Sequence, residues 1–339
     1  MILSSSGCSN FLGQKCASLK EYMKFMIYRV MVFFCFLLIF LPISCSNKKS
    51  DDLAKASEVS VEDGHPFKEK VIIALPPEIN IFEQTKKYQP IEEYLQETLK
   101  LDFKFKVVES YGAIIRELAQ EKVEGAFLGS LNYFLARNQA TIEVIARPQW
   151  PDGTSSYTGL IFTHKNSGLT RDVATWKNKT FAMVHQATTA GYLFPRWHLL
   201  KAGMKDWKHF FNKVVLVGSH DAAIFMVVNR ETELGVAKNS VFKKLVKDNP
   251  SLEDSLVILA ESMPVPSNAF VIRKNSSPQL KNRIKEALLQ MDGTNFGREK
   301  LDAFGALKFL QTTDADYEPI AKMLQDLQLE SSNPLFTLF

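Results

Sequence analysis

The chain has 339 residues, 46% hydrophobic and 23% charged, the composition of a folded protein of one or two domains rather than a disordered or fibrous one. All four cysteines lie at or before residue 45, so a body starting at Cys45 has no internal disulfide, no cysteine nucleophile and no cysteine-held zinc. The formal charge of +4 is mostly leader: residues 1–45 hold four basic side chains and one acidic one, leaving a net charge near +1 on the rest, and without a cationic run this excludes a nucleic-acid binder.

Residues 1–45 read as an export leader. Lys24 and Arg29 precede an uncharged apolar run from Val30 to Leu41, closed by Pro42-Ile43-Ser44-Cys45. The run is shorter than the about 20 residues a spanning helix needs. Its end resembles a bacterial lipobox, with Ser44 before Cys45 but Pro42 where Leu is usual. Cys45 is therefore the expected lipidation site, with simple cleavage or an uncleaved anchor as alternatives. Met23 is a second possible start. Residues 46–69 are polar and poor in large apolar side chains, the composition of a flexible tether.

Beyond the tether, strand-type and helix-type patterns alternate. Lys70–Leu75 predicts a strand, Tyr88–Leu99 a helix, Phe103–Val108 a strand and Tyr111–Gln120 a helix; Gly125–Leu128 is a short strand and Leu131–Ala136 begins a helix. A second series follows: strands at Leu160–His164 and Thr180–Val184, a helix at Tyr192–Ala202, a strand at Val214–Val217, a helix at Asp221–Asn229, a strand at Glu233–Val236 and a helix at Asn239–Val246. Strands at Leu256–Glu261 and Ala269–Arg273 precede helices at Pro278–Met291 and Tyr317–Leu327. This is an α/β pattern, and about 270 folded residues exceed one comfortable core, which predicts two lobes.

Several strand-to-helix junctions carry polar residues. In Gln186-Ala187-Thr188-Thr189-Ala190-Gly191 the small and hydroxyl residues suit an anion at a helix N-terminus, with an ordinary threonine N-cap as the alternative reading. Gly218-Ser219-His220-Asp221 offers an imidazole donor, or a capped helix with His220 at the surface. Leu128-Gly129-Ser130-Leu131-Asn132 and Ala237-Lys238-Asn239-Ser240 are two more junctions. Tyr111 and Tyr157 are phenol donors next to strands, where tyrosines also simply pack.

Taken together, Ser110-Tyr111-Gly112-Ala113-Ile114-Ile115, Tyr157-Thr158-Gly159-Leu160, Thr188 to Pro195, Gly218 to Ala223, Ala237 to Ser240 and Pro264-Val265-Pro266-Ser267-Asn268 resemble, in order and spacing, the phosphonate/phosphite/phosphate-binding (PhnD-like) periplasmic substrate-binding proteins of ABC transporters. The resemblance runs from about Val71 to Leu327. It implies a two-lobed periplasmic-binding-protein fold of type II-like topology, with the ligand in the interlobe cleft. Lobe one would comprise 70–158 plus 264–330, lobe two 159–263, and 331–339 a tail. It implies ligand contacts from Tyr111, Tyr157, Thr188, Thr189, the Ala190 N–H, His220 and Asn268, with no metal or cofactor.

Three departures bear on the ligand. Ala190 replaces a family serine, Asn268 stands where many members carry Asp, and Val241 stands where aminoalkylphosphonate binders place a carboxylate for the ammonium. Aminoethylphosphonate is thereby disfavoured, leaving phosphate, phosphite or a small alkylphosphonate. The expected partners are that oxyanion, an ABC permease in the inner membrane and the bilayer through Cys45, with the protein a monomer in the periplasm. A ligand sensor for a membrane signalling partner is the alternative. A phosphate-ester enzyme ranks lower, since no Walker loop, HExxH or GxSxG motif occurs.

Overall fold

The computed structural model describes residues 70–329, all within one compact unit spanning 63–339. The expected leader with Cys45, the tether at 46–69 and the tail at 331–339 lie outside the described residues.

In chain order, β1 (Lys70–Leu75), α1 (Ile81–Leu99), β2 (Asp102–Val107), α2 (Tyr111–Ala119), β3 (Gly125–Leu128), α3 (Ser130–Gln139) and β4 (Ile142–Gln149) come first. Then follow β5 (Ser156–Tyr157), β6 (Gly159–His164), β7 (Thr180–Met183), α4 (Phe194–Lys201), α5 (Trp207–Phe210), β8 (Lys213–Leu216), α6 (His220–Val228), β9 (Leu234–Lys238), α7 (Asn239–Asp248) and β10 (Leu256–Glu261). The last group is β11 (Val265–Pro266), β12 (Ala269–Arg273), α8 (Pro278–Leu289), α9 (Asn295–Phe304), β13 (Lys308–Gln311) and α10 (Glu318–Asp326).

Two mixed sheets result. The six-stranded one runs β13-β4-β12-β3-β1-β2 and the five-stranded one β10-β6-β9-β7-β8. In the first, β1 lies parallel to β2 and β3, while β12 runs antiparallel to β3 and β4. In the second, β7 lies parallel to β8 and β9. The chain passes between the sheets twice, and each passage contributes one strand of a small ribbon: Val265 of β11 faces Tyr157 of β5, and Pro266 faces Ser156.

Burial explains where the elements lie. β1 is an interior strand, between β3 and β2, and Val71, Ile73, Ala74 and Leu75 are all buried, as expected of a strand covered on both faces. α1 buries Tyr88, Ile91, Tyr94, Leu95 and Leu99, a helical stripe in which each large side chain contributes about 1.5–3 kcal/mol. Its start is seven residues earlier than the Tyr88 read from sequence. Asn80 caps it by accepting from the Phe82 N–H at 2.9 Å, and Pro90, which suits a first turn, sits in its middle. Ile81 and Phe82 are exposed, so that first turn has no apolar signature. β4, β13 and α9 were also not anticipated.

The junction after β7 is a π-helical turn, Thr189–Leu193, rather than the first turn of an ordinary helix. It folds back on the strand: the Val184 N–H donates to the Gly191 carbonyl at 3.0 Å. A Cβ at Gly191 would stand 2.4 Å from Val184 Cβ and 2.6 Å from Thr188 Oγ1, closer than packed atoms tolerate. Gly191→Ala is therefore expected to lower stability by roughly 1–3 kcal/mol, the usual cost of overpacking. A urea unfolding midpoint equal to that of the wild type would show that the turn is looser than this.

Candidate functional site

The polar junctions share one topological origin. Glu78 follows β1, Tyr111 follows β2, Ser130 follows β3, Thr188–Ala190 follows β7, His220 follows β8 and Lys238 ends β9. In open α/β sheets ligands bind beyond the carboxyl ends of the strands, and the strand ends of both sheets here bring these residues together.

Each residue read from sequence has a definite place. Tyr111 is the first residue of α2; its ring stacks on His185 with centroids 5.4 Å apart. Its hydroxyl is buried without a hydrogen-bond partner among the described residues. Burial, with the Glu78 carboxylate nearby, raises its pKa well above the ordinary phenol value, so it keeps its proton as a donor. Tyr157 is buried in β5, and burial pushes its pKa up to about 12 although the Thr189 and Ser130 hydroxyls oppose the shift.

Thr188 stands at the N-cap position but does not cap; its hydroxyl donates to the His185 carbonyl at 2.6 Å. The Thr189 hydroxyl accepts from the Leu131 N–H at 2.9 Å, thereby serving the start of α3, whose preceding Gly129 has no side chain to do so. The simple reading of these threonines as caps of their own helix is thus set aside. Ala190 is buried in the π-turn against Gly159, whose missing Cβ leaves it room. The first N–H groups of such a turn have no carbonyl behind them within it.

At α6, Ser219 and Asp221 do act as caps, both accepting from the Ala222 N–H. His220 is nevertheless buried, at 3% exposure, and not at the surface. The Lys238 N–H donates to His220 Nδ1 at 3.2 Å. The neutral ring must then carry its proton on Nε2, where it remains a donor. Burial, reinforced by Lys238 and opposed by Glu78, lowers its pKa to about 4.

Asn268 is part of a buried cluster that motif reading missed. Lys238 Nζ donates to Asn268 Oδ1 at 2.8 Å and lies 3.3 Å from Glu78 Oε1, while Asn268 Nδ2 donates to the same Glu78 oxygen at 2.8 Å. Lys238 also stands 4.4 Å above the Tyr157 ring, a cation–π contact. Burial alone would raise the Glu78 pKa, but Lys238, Lys87, His220 and the Asn268 amide outweigh it and hold it at about 2. The Glu78 carbonyl accepts from the His220 N–H at 3.0 Å, and Asp221 accepts from the Asn80 N–H at 2.9 Å, so the segment after β1 is tied to the start of α6. Lys238 lay inside a quoted junction, and Glu78 follows a Pro-Pro break directly after a strand, which was its one visible signal.

His220 and Glu78 set the acid limb of stability. Between its ordinary pKa of 6.5 and its folded value near 4, His220 binds more protons unfolded than folded. Its contribution is complete above pH 6.5 and is lost as pH falls through 4. Glu78 adds a loss of the same sign between 4.5 and 2. Linkage at about 1.4 kcal/mol per unit makes the His220 share roughly 3 kcal/mol. Chemical denaturation at pH 7, 5.5 and 4.5 should show a steady fall that His220→Gln flattens; a flat wild-type profile would contradict the assigned burial.

Residues 73–317 match the family model described as the periplasmic substrate-binding protein of the ABC phosphonate transporter. The phosphonates-binding periplasmic protein of Escherichia coli (strain K12) is 24% identical over 231 residues, 66% of this chain and 67% of that protein. Among solved structures, a binding protein component of an ABC phosphonate transporter from Pseudomonas aeruginosa aligns with a TM-score of 0.72 and 19% identity, covering 77% of this chain and 87% of the other. PhnD1 from Prochlorococcus marinus (MIT 9301), solved in complex with methylphosphonate, aligns with a TM-score of 0.70 and 22% identity, covering 77% and 99%. These likenesses establish the two-lobed periplasmic-binding-protein fold.

Proposed function

This chain belongs to the periplasmic substrate-binding proteins of ABC phosphonate transporters, and from that premise we propose that it captures a phosphorus oxyanion (phosphate, phosphite or a small alkylphosphonate) for import, without catalysing its conversion. The observation that carries this reading is the buried Tyr111 hydroxyl with no partner among the described residues. An orphaned buried donor costs about 1–3 kcal/mol, and a ligand oxygen would remove that cost. The N–H groups of the 189–191 turn and His220 Nε2–H are further donors at the strand ends. A tetrahedral oxyanion held by neutral donors gains from charge-assisted bonds without a metal or a covalent step.

Lobe one, 70–158 plus 264–330, and lobe two, 159–263, would close on the ligand about the β5–β11 ribbon, a hinge closure that presents one closed face to a membrane permease. Cys45 would carry the lipid that keeps the protein at the membrane, and the bound form would be a monomer.

Calorimetric titration of the purified protein with phosphate, phosphite, methylphosphonate, aminoethylphosphonate and sulfate tests the reading. At least one of the first three should bind below millimolar, and aminoethylphosphonate more weakly, because Val241 is a buried apolar side chain and offers its ammonium no partner. Millimolar or absent binding of all three would remove the proposed ligand class.

A further inference from the structure

Tyr157 and Asn268, two of the expected ligand contacts, line with Lys238 a cavity of about 460 Å³. Pockets of about 300–1,000 Å³ suit whole organic ligands, so beside Tyr157 and Asn268 there is room for more than a bare tetrahedral oxyanion. The far walls combine aromatic rings, Tyr88, Trp150 and Phe304, with Lys87 of α1 and Lys243 and Lys244 of α7. Lys238 is matched by Glu78, and Lys244 is shared between Asp248 at 2.7 Å and Glu83 at 3.7 Å. Lys87 and Lys243 have no ion pair among the described residues, and one carboxylate, Asp152, also lines the space.

We propose that the ligand of this protein carries a second anionic group beyond its phosphorus head, a carboxylate or another phosphoryl, seated in this chamber between Lys87 and Lys243. The proposal rests on the phosphoryl-site reading above and adds the chemistry of the tail. Lys87 Nζ stands 5.5 Å from the Tyr88 ring centre and 5.8 Å from that of Phe304, over an aromatic floor and with Glu78 acting on it only from beyond ion-pair distance. Burial first, then Lys238 and Lys244, lower its pKa to about 8 against the pull of Glu78; an anion beside it would relieve that pressure. Because Lys87 lies beyond β1 of the first sheet and Lys243 beyond β9 of the second, one bridging anion would also tie the two sheets together across the cleft. The same lysines oppose a cationic tail.

The test is calorimetry on the full-length protein with methylphosphonate, propylphosphonate and 3-phosphonopropionate, the last two of equal length and differing in terminal charge. The wild type should bind 3-phosphonopropionate at least tenfold more tightly than propylphosphonate. Lys243→Met should leave methylphosphonate binding within about twofold, by the usual independence of separate contacts, and Lys87→Met/Lys243→Met should abolish the preference for 3-phosphonopropionate. Lys243→Met alone, at an exposed position, should lose part of it. Equal binding of the two longer compounds by the wild type, or a preference that survives in the double variant, overturns the proposal while the phosphoryl site stands. Failure of every phosphorus compound to bind overturns both.

Discussion

Lys238→Met is expected to lower the unfolding free energy by about 3–5 kcal/mol at pH 7, the usual cost of leaving a buried charge without its partner. Lys238 and Glu78 are 7% and 6% exposed at their side chains, so water cannot replace the lost contact. The Asn268 amide remains on Glu78 but supplies no charge. Lys238 is the largest of the influences that hold the Glu78 pKa down; without it that pKa rises, and the deficit should shrink as pH falls toward the carboxyl's titration range. Adding Glu78→Gln to Lys238→Met should return a large part of the loss, because neither position of the pair then carries a charge. Urea denaturation of the two variants decides the matter: a single-variant loss below about 1 kcal/mol would mean that the pair behaves as though it were in solvent.

The second large effect has opposite signs in the free and bound protein. Tyr111→Phe removes a hydroxyl that no described residue bonds. Ligand-free stability should therefore hold or rise, since a desolvated orphan group is deleted. Affinity for methylphosphonate should fall about 10- to 100-fold, the value of one hydrogen bond to a charged oxygen. A residue with a merely structural role would lose stability and affinity together. Thermal unfolding and calorimetry on the same variant separate the two cases.

Much of the architecture was legible from sequence. The strands Lys70–Leu75, Gly125–Leu128 and Ala269–Arg273 match the patterns read from apolar runs, because buried strands leave continuous hydrophobic segments; Leu256–Glu261 matches by its apolar composition although Val257 and Ile258 are exposed. β4 was missed because its burial follows no simple alternation, with Val144 half-buried between Ile142 and Ile145 and with Pro148 near its end. β13 was missed because it is a four-residue edge strand holding one buried side chain, Phe309. One buried side chain in four residues leaves no periodicity to read.

The candidate site was legible as junctions but not as a charge network. Tyr111, Tyr157, Thr188, Thr189, Ala190, His220 and Asn268 each sit at or near a strand end, and local sequence marks such places with small, hydroxyl and cap-forming residues. Glu78 and Lys238 are 160 positions apart, and their pairing follows from where β1 and β9 end in two different sheets. No local pattern encodes that meeting. The same holds for Thr189, whose hydroxyl serves a helix start 58 positions away.

The central claim is that a phosphorus oxyanion sits among the strand-end donors, and a crystal structure of the protein with methylphosphonate tests it most directly. The account requires phosphonate oxygens at about 2.5–3.2 Å, hydrogen-bonding distance, from Tyr111 Oη, His220 Nε2 and the N–H groups of the 189–191 turn, with Glu78 still paired to Lys238. Methylphosphonate bound elsewhere, or a Tyr111 hydroxyl satisfied by another protein group while the ligand is present, would contradict it.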